Sequence, residues 1–174
     1  MTAYQILAIC GLLIQTFGYL IVFRMIYGFW PTSYSNTAKH LESTPTKKGI
    51  VLEKGYIFTF WTALGILFLL PGLLKTSQDL LTGSCAYMSM FYLGLVGAFP
   101  SNIDKITTKW HCVFANLCAI LAIVWLLLQH VYAPTFIIFG VMFTWSRLFQ
   151  RKYETLIMEM AAFISAYTGI LILG

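Results

Sequence analysis

Six residues of this chain could meet to do chemistry: Ser33, Ser35, Asp104, His111, Arg147 and Glu159. A carboxyl group within reach of an imidazole can exchange a proton with it near neutral pH. A hydroxyl beside the same imidazole can be made nucleophilic, and a nearby arginine can hold an anion. Glu159 is the sharpest of the six, because it lies within the apolar stretch from Tyr153 to Leu173. An ionised carboxylate in hydrocarbon is expensive, so Glu159 is expected to face the protein interior and to have a partner. Arg24, Arg147 and His111 are the candidates for that partner. Together the six residues predict a polar ligand pocket at one end of a helix bundle. The plainer alternative makes them ion pairs and helix-end residues that pin the bundle, with arginines reaching back to the headgroups.

Other chemistry finds little support. Bis-histidine haem needs histidines that face each other from neighbouring helices. Here His111 and His130 mark opposite ends of one apolar segment, and His40 lies in a connecting loop. Zinc held by His40, His111 and Asp104 would lack any short ligand pair such as His-x-x-x-His. Cys10, Cys85, Cys112 and Cys118 have no Cys-x-x-Cys spacing and read as small apolar packing residues. No P-loop, Gly-x-Ser-x-Gly or glycine-rich nucleotide signature occurs. These residues predict no cofactor and no bound metal.

The elements that must position the six residues are set by lipid. Charged residues are 10% of the chain and hydrophobic ones 59%, with a mean hydropathy of +0.80, whereas a soluble domain is about 25% charged. A membrane crossing takes about 20 apolar residues. The stretches 4–27, 55–74, 80–100, 110–128, 133–149 and 153–173 qualify. No Asp, Glu, Lys or Arg separates the fourth from the fifth, yet one helix from 110 to 146 would be about 55 Å long. The segment "QHVYAP" at 129–134 breaks it, with two polar residues and a proline suited to the first turn of a new helix. The expected fold is therefore all-α, a single domain of six transmembrane helices, since open strand edges cannot face lipid.

Charge sorts along the same spans. Ten of the eleven Lys and Arg residues fall in or beside the first, third and fifth connections, and only Lys75 falls opposite. Such a bias marks those connections as cytoplasmic and puts both termini outside. It also accounts for the net charge of +5 without a nucleic-acid partner. The stretch "LAIC" at 7–10 is close to a lipoprotein box but has no basic segment ahead of it, so the N-terminus reads as an uncleaved first span.

Helices pack in lipid through small residues. Ala162, Ala166 and Gly169 share a stripe with Glu159, and Ala115, Cys118 and Ala122 share one with His111, so both polar residues should point inward. Trp30, Tyr56, Trp110, Tyr132, Trp145 and Tyr153 sit at span ends as an interfacial belt. The loop 28–54, with Pro31 and Pro45, is either a tether or a segment folded back on the bundle. In "GAFPSNIDKITTKWHCVFAN", residues 97–116, Pro100 should end the third span and Asn102 and Asp104 should make the turn. Thr107 or Thr108 should cap the fourth span, placing His111 in its first turn within reach of Asp104 or Glu159.

Phe99-Pro100, Asp104, and His111 followed by Ala115 resemble a motif of bacterial six-span membrane proteins of unassigned function, related to the damage-regulated autophagy modulator superfamily. "PTSYSNTAKH" at 31–40 resembles the Pro-Ser-x-Ser pattern of small integral membrane proteins of Bacteroidetes and their mobile elements. The resemblance implies a six-helix bundle in a bacterial inner membrane with the Phe-Pro/His loop on the cytoplasmic side. It implies no biochemical activity.

Three classes of function remain. In order, they are a binding or transport module, a structural or regulatory subunit of a membrane complex, and an intramembrane metal-dependent hydrolase. The first would hold an anionic lipid headgroup or small anion in a basic cytoplasmic mouth. The second needs a membrane protein partner. The third would use Ser33 or Ser35, Asp104 and His111, similar in residue types to the seven-span ceramidase and progestin-receptor-like enzymes, but without their seventh span or a histidine pair for metal.

Overall fold

The computed structural model describes residues 1–43, 56–100, 105–149 and 151–174, and the regular structure among them is entirely helical. In chain order the helices are α1 (Ala3–Tyr27), α2 (Tyr34–Ser43), α3 (Tyr56–Thr76), α4 (Leu80–Ala98), α5 (Lys105–Leu128), α6 (Tyr132–Phe149) and α7 (Glu154–Leu173). A 3-10 turn, Arg151–Tyr153, leads into α7. Among the described residues, five segments are long and apolar enough to cross a membrane: Ala3–Tyr27, Ile57–Thr76, Leu80–Ala98, Lys105–Leu128 and Arg151–Leu173. This is the make-up of a multi-pass membrane protein. The expected span 133–149 forms the helix α6, with Pro134 and Thr135 in its first turn and Arg147 in its last, and it is not among these five.

Helix ends follow from local chemistry. Gly28 closes α1 in the left-handed conformation (φ 86°), its N–H donating to the Arg24 carbonyl. Asp79 caps α4 by accepting the Thr82 N–H at 2.8 Å, which holds its carboxyl below the usual range. Phe99 leaves helical geometry (φ −119°, ψ 72°) ahead of Pro100, as expected. The break at 129–134 also forms: His130 turns at φ 59°, and Val131 N–H donates to the Leu126 carbonyl.

One expectation changes. The fourth long helix already runs at Lys105, so Thr107 and Thr108 lie inside it and His111 falls in its second turn. Apolar residues are not needed that early, because the first turns of a span sit in the headgroup region. Of the two alternatives for the first loop, folding back is the one seen: its residues 34–43 form α2, with Tyr34, Thr37, Ala38 and Leu41 buried. Asp104, and with it residues 44–55 including Pro45, lies outside the described residues.

Packing defines an open side. α4 pairs extensively with α3 and α5, α6 pairs with α7, and α1 packs on α3, whereas α5 touches α6 and α7 sparsely. The centre is knit by α1, whose residues Leu12–Gly18 wind as a π-helix. The Gln15 carbonyl accepts Trp61 Nε1–H at 2.9 Å and the Thr16 carbonyl accepts the Tyr34 hydroxyl. Backbone groups in a bilayer interior must be satisfied within the protein, and these aromatic donors from α3 and α2 do so here.

Candidate functional site

The turn before α2 prepares the site. Ser33 caps the helix by accepting the Asn36 N–H at 2.9 Å, and Asn36 Nδ2 donates to Thr32 Oγ1 at 2.8 Å. The Thr32 carbonyl accepts the Leu156 N–H at 3.0 Å, satisfying a first-turn donor of α7. Tyr34 is then locked: its ring stacks on Trp61 with centroids 4.7 Å apart, and its hydroxyl reaches the Thr16 carbonyl. Ser35, the next residue, is thereby fixed between α5 and α7.

Glu159 meets this turn from α7. Its Oε2 accepts the Tyr34 N–H at 2.6 Å, and its Oε1 lies 3.3 Å from Ser35 Oγ. His111 meets it from α5, with Nε2 2.7 Å from Ser35 Oγ and Nδ1 2.8 Å from the Phe99 carbonyl. A carbonyl only accepts, so Nδ1 carries hydrogen and Nε2 is the atom whose proton can change. Phe99 can offer that carbonyl because Pro100 has already ended the helix. The Phe-Pro turn thus orients the imidazole.

Two cavities meet at this cluster. The inner one, about 140 Å³, is lined by Tyr34, Phe58, Trp61 and Phe163 and by aliphatic residues of α4 and α5. The outer one, about 860 Å³, runs between α5 and α7 from Thr108 and Arg151 to Leu126 and Ala162, with Phe139 of α6 on its wall. Ser35, Ala115, Ala119, Ala122, Glu159 and Ala162 belong to both linings. The small residues expected to pack tightly therefore leave space between the two helices. Glu159 and His111 line a cavity, and neither is sealed in a dry helix contact.

Four of the six expected site residues come together: Ser35, His111 and Glu159 in direct contact, and Ser33 on the outer cavity wall as the cap of α2. Arg147 does not join them. It pairs with Glu154 at 3.1 Å, half exposed, with its guanidinium over the Phe143 ring. A cation in the last turn of α6 gains more at the headgroup level, where Glu154 waits across the short α6–α7 turn, than by entering an apolar cavity. Arg24 likewise stays at its helix end, over Trp30. Among the described residues no cation pairs with Glu159. The basic residue at the mouth is Arg151. Sequence reasoning missed Tyr34, whose backbone and ring both hold the site, and the Phe99 carbonyl.

The Ser35–His111 distance suits a nucleophile and its base, but acyl transfer also needs N–H donors aimed at a developing oxyanion. The nearby donors are engaged, Tyr34 N–H by Glu159 and Asn36 N–H by Ser33. A carboxylate 3.3 Å from Ser35 Oγ would oppose negative charge there. The arrangement is better suited to holding and exchanging a proton beside a ligand than to attacking one. Comparison with protein-family models, with curated proteins and with solved structures finds no match to this chain.

Proposed function

We propose that this protein is a six-span membrane protein that binds an amphiphile inside its bundle. The tail lies between α5 and α7, and the polar end rests against Ser35, His111 and Glu159. One observation carries this reading: an apolar cavity and a wider, partly polar one meet at the Glu159 carboxyl group, along walls of alanine. A ligand with an apolar body and one polar end matches that division. The bias of basic residues toward alternate connections supports a mouth on the cytoplasmic side and both termini outside.

Reporter fusions after residues 40, 105 and 151 should read cytoplasmic, and fusions near residue 78 or at the C-terminus external. A cytoplasmic C-terminus would sink the six-span reading. For the ligand, Ala162→Leu adds a side chain at the wall common to both cavities without needing room elsewhere. Native mass spectrometry should show an amphiphile retained by the wild-type protein and at least tenfold depleted in this variant, with the melting temperature unchanged. Equal occupancy in the two proteins would place the ligand elsewhere.

A further inference from the structure

A separate cleft lies on the outer side of the bundle, between the end of α1 and the start of α7. It shares no lining residue with the two cavities at Glu159. Leu20 of α1 and Leu156 and Ile157 of α7 are buried and form its floor, whereas Phe17, Ile21 and, from α6, Trp145 are exposed along its walls. The Leu156 N–H donates to the Thr32 carbonyl at 3.0 Å, which holds the start of α7 beside the chain leaving α1. The cleft follows α1 from Arg24 back to Phe17 and α7 from Tyr153 on to Met160, about 10 Å of helix in each case at about 1.5 Å per residue. One leaflet of a bilayer holds about 15 Å of hydrocarbon, so this cleft of about 380 Å³ has the depth of an acyl chain.

Two cations stand at its headgroup end, each stacked on a ring that lines it. The Arg24 guanidinium lies 5.0 Å from the centroid of Trp30, and Lys152 Nζ lies 5.5 Å from that of Tyr153. Such contacts keep two long side chains at the rim of an apolar surface. Arg24, Gly28 and Trp30 also line an adjoining recess of about 360 Å³, which shares Ile21 and Trp30 with the cleft. One Arg24 N–H faces the Gly28 carbonyl at 3.3 Å. A guanidinium carries five N–H donors in a planar fork, a shape suited to two-point contact with phosphate. The neighbouring cations serve elsewhere: Arg151 lines the outer cavity, and Arg147 pairs with Glu154.

We propose that this cleft binds one anionic glycerophospholipid from the surrounding bilayer. An acyl chain lies on the floor formed by Leu20, Leu156 and Ile157, and the phosphate sits between Arg24 and Lys152. Charge complementarity chooses the occupant: an apolar channel of acyl depth ends at two cations, and a zwitterionic lipid would bring a further cation to them. The site is independent of the amphiphile bound inside the bundle. It gives the anionic headgroup expected from the basic connections a place on the outer face of α1 and α7.

The test is native mass spectrometry of the full chain released from nanodiscs of phosphatidylglycerol and phosphatidylcholine in equal amounts with matched acyl chains. The wild-type protein should retain one phosphatidylglycerol in preference to phosphatidylcholine. Arg24→Gln and Lys152→Gln, both at exposed positions, should each lower that retention about fivefold. Ile21→Trp keeps both cations but fills the cleft, and should lower retention about tenfold or more with the melting temperature unchanged. Ala162→Leu, in the bundle cavity, should leave phosphatidylglycerol retention as in wild type. Equal retention of the two lipids, or retention indifferent to Ile21→Trp, would overturn the proposal. Loss of phosphatidylglycerol in Ala162→Leu would put the lipid in the bundle cavity and overturn it too. If inorganic phosphate raises the melting temperature in an Arg24-dependent way while lipid retention ignores Ile21, the rim takes free anions and the lipid assignment fails.

Discussion

Glu159→Leu is expected to lower the unfolding free energy by about 3 kcal/mol, and Glu159→Gln by no more than about 1 kcal/mol. The difference follows from who needs the carboxyl group. Tyr34 is a buried residue whose N–H opens α2, and Glu159 Oε2 is its acceptor at 2.6 Å. Leucine removes that acceptor and the Ser35 contact together, and leaves the Tyr34 N–H at the start of α2 without its partner. Glutamine keeps a carbonyl for Tyr34 N–H, and its amide can donate to Ser35, which donates on to His111. It therefore mimics the protonated acid. Replacing a buried ion pair by apolar residues often stabilises a protein, but here the partners are neutral donors that leucine would strand. Chemical or thermal unfolding in one detergent checks the order. A leucine variant as stable as wild type would mean that the carboxyl group does not hold α2 to the bundle.

The part of this site that could be read from sequence is the part that a cost rule reaches. A carboxyl group inside a span had to face inward beside small residues, and Glu159 and Ala162 do. The same rule applied to Gln15, an amide in the middle of the first span, would have predicted its burial, but not its partner Tyr167 or the π-helical winding, which depends on donors arriving from α2 and α3. Helix α2 also left a trace: Tyr34, Ala38 and Leu41 follow a three-four spacing, and all three are buried. The pairing of Arg147 was misjudged because helix position says at what depth a cation lies and not toward which neighbour it turns. The acceptor for His111 was out of reach for a different reason. It is a backbone carbonyl, freed by a proline, and side-chain types do not reveal it.

A second test addresses the centre of the bundle, where Tyr167 donates to Gln15 between two glycines. A Cβ on Gly11 would lie 2.4 to 2.6 Å from the Tyr167 hydroxyl and ring, and one on Gly65 would lie 2.1 Å from Gln15 Nε2. A Cβ on Gly140 meets nothing within 4 Å. The contact at Gly65 is nominally shorter, but it falls on the end of a rotatable amide, whereas the Tyr167 ring is rigid and fully buried. Making room at Gly11 means shifting α7 away from α1 or breaking the hydroxyl's bond to Gln15, and either loosens the contact that ties the first helix to the last. Gly11→Ala should therefore cost about 3 kcal/mol and Gly65→Ala about 1–2 kcal/mol, in the range of overpacked cores. Gly140→Ala should be neutral or stabilising by up to about 1 kcal/mol through helix propensity. Tyr167→Phe should not rescue Gly11→Ala, because the ring carbons that the new methyl meets remain and Gln15 loses its donor, and a double-mutant cycle on unfolding free energies measures that coupling. Equal stability of the Gly11 and Gly140 variants would show that α1 and α7 do not approach as closely as this arrangement requires.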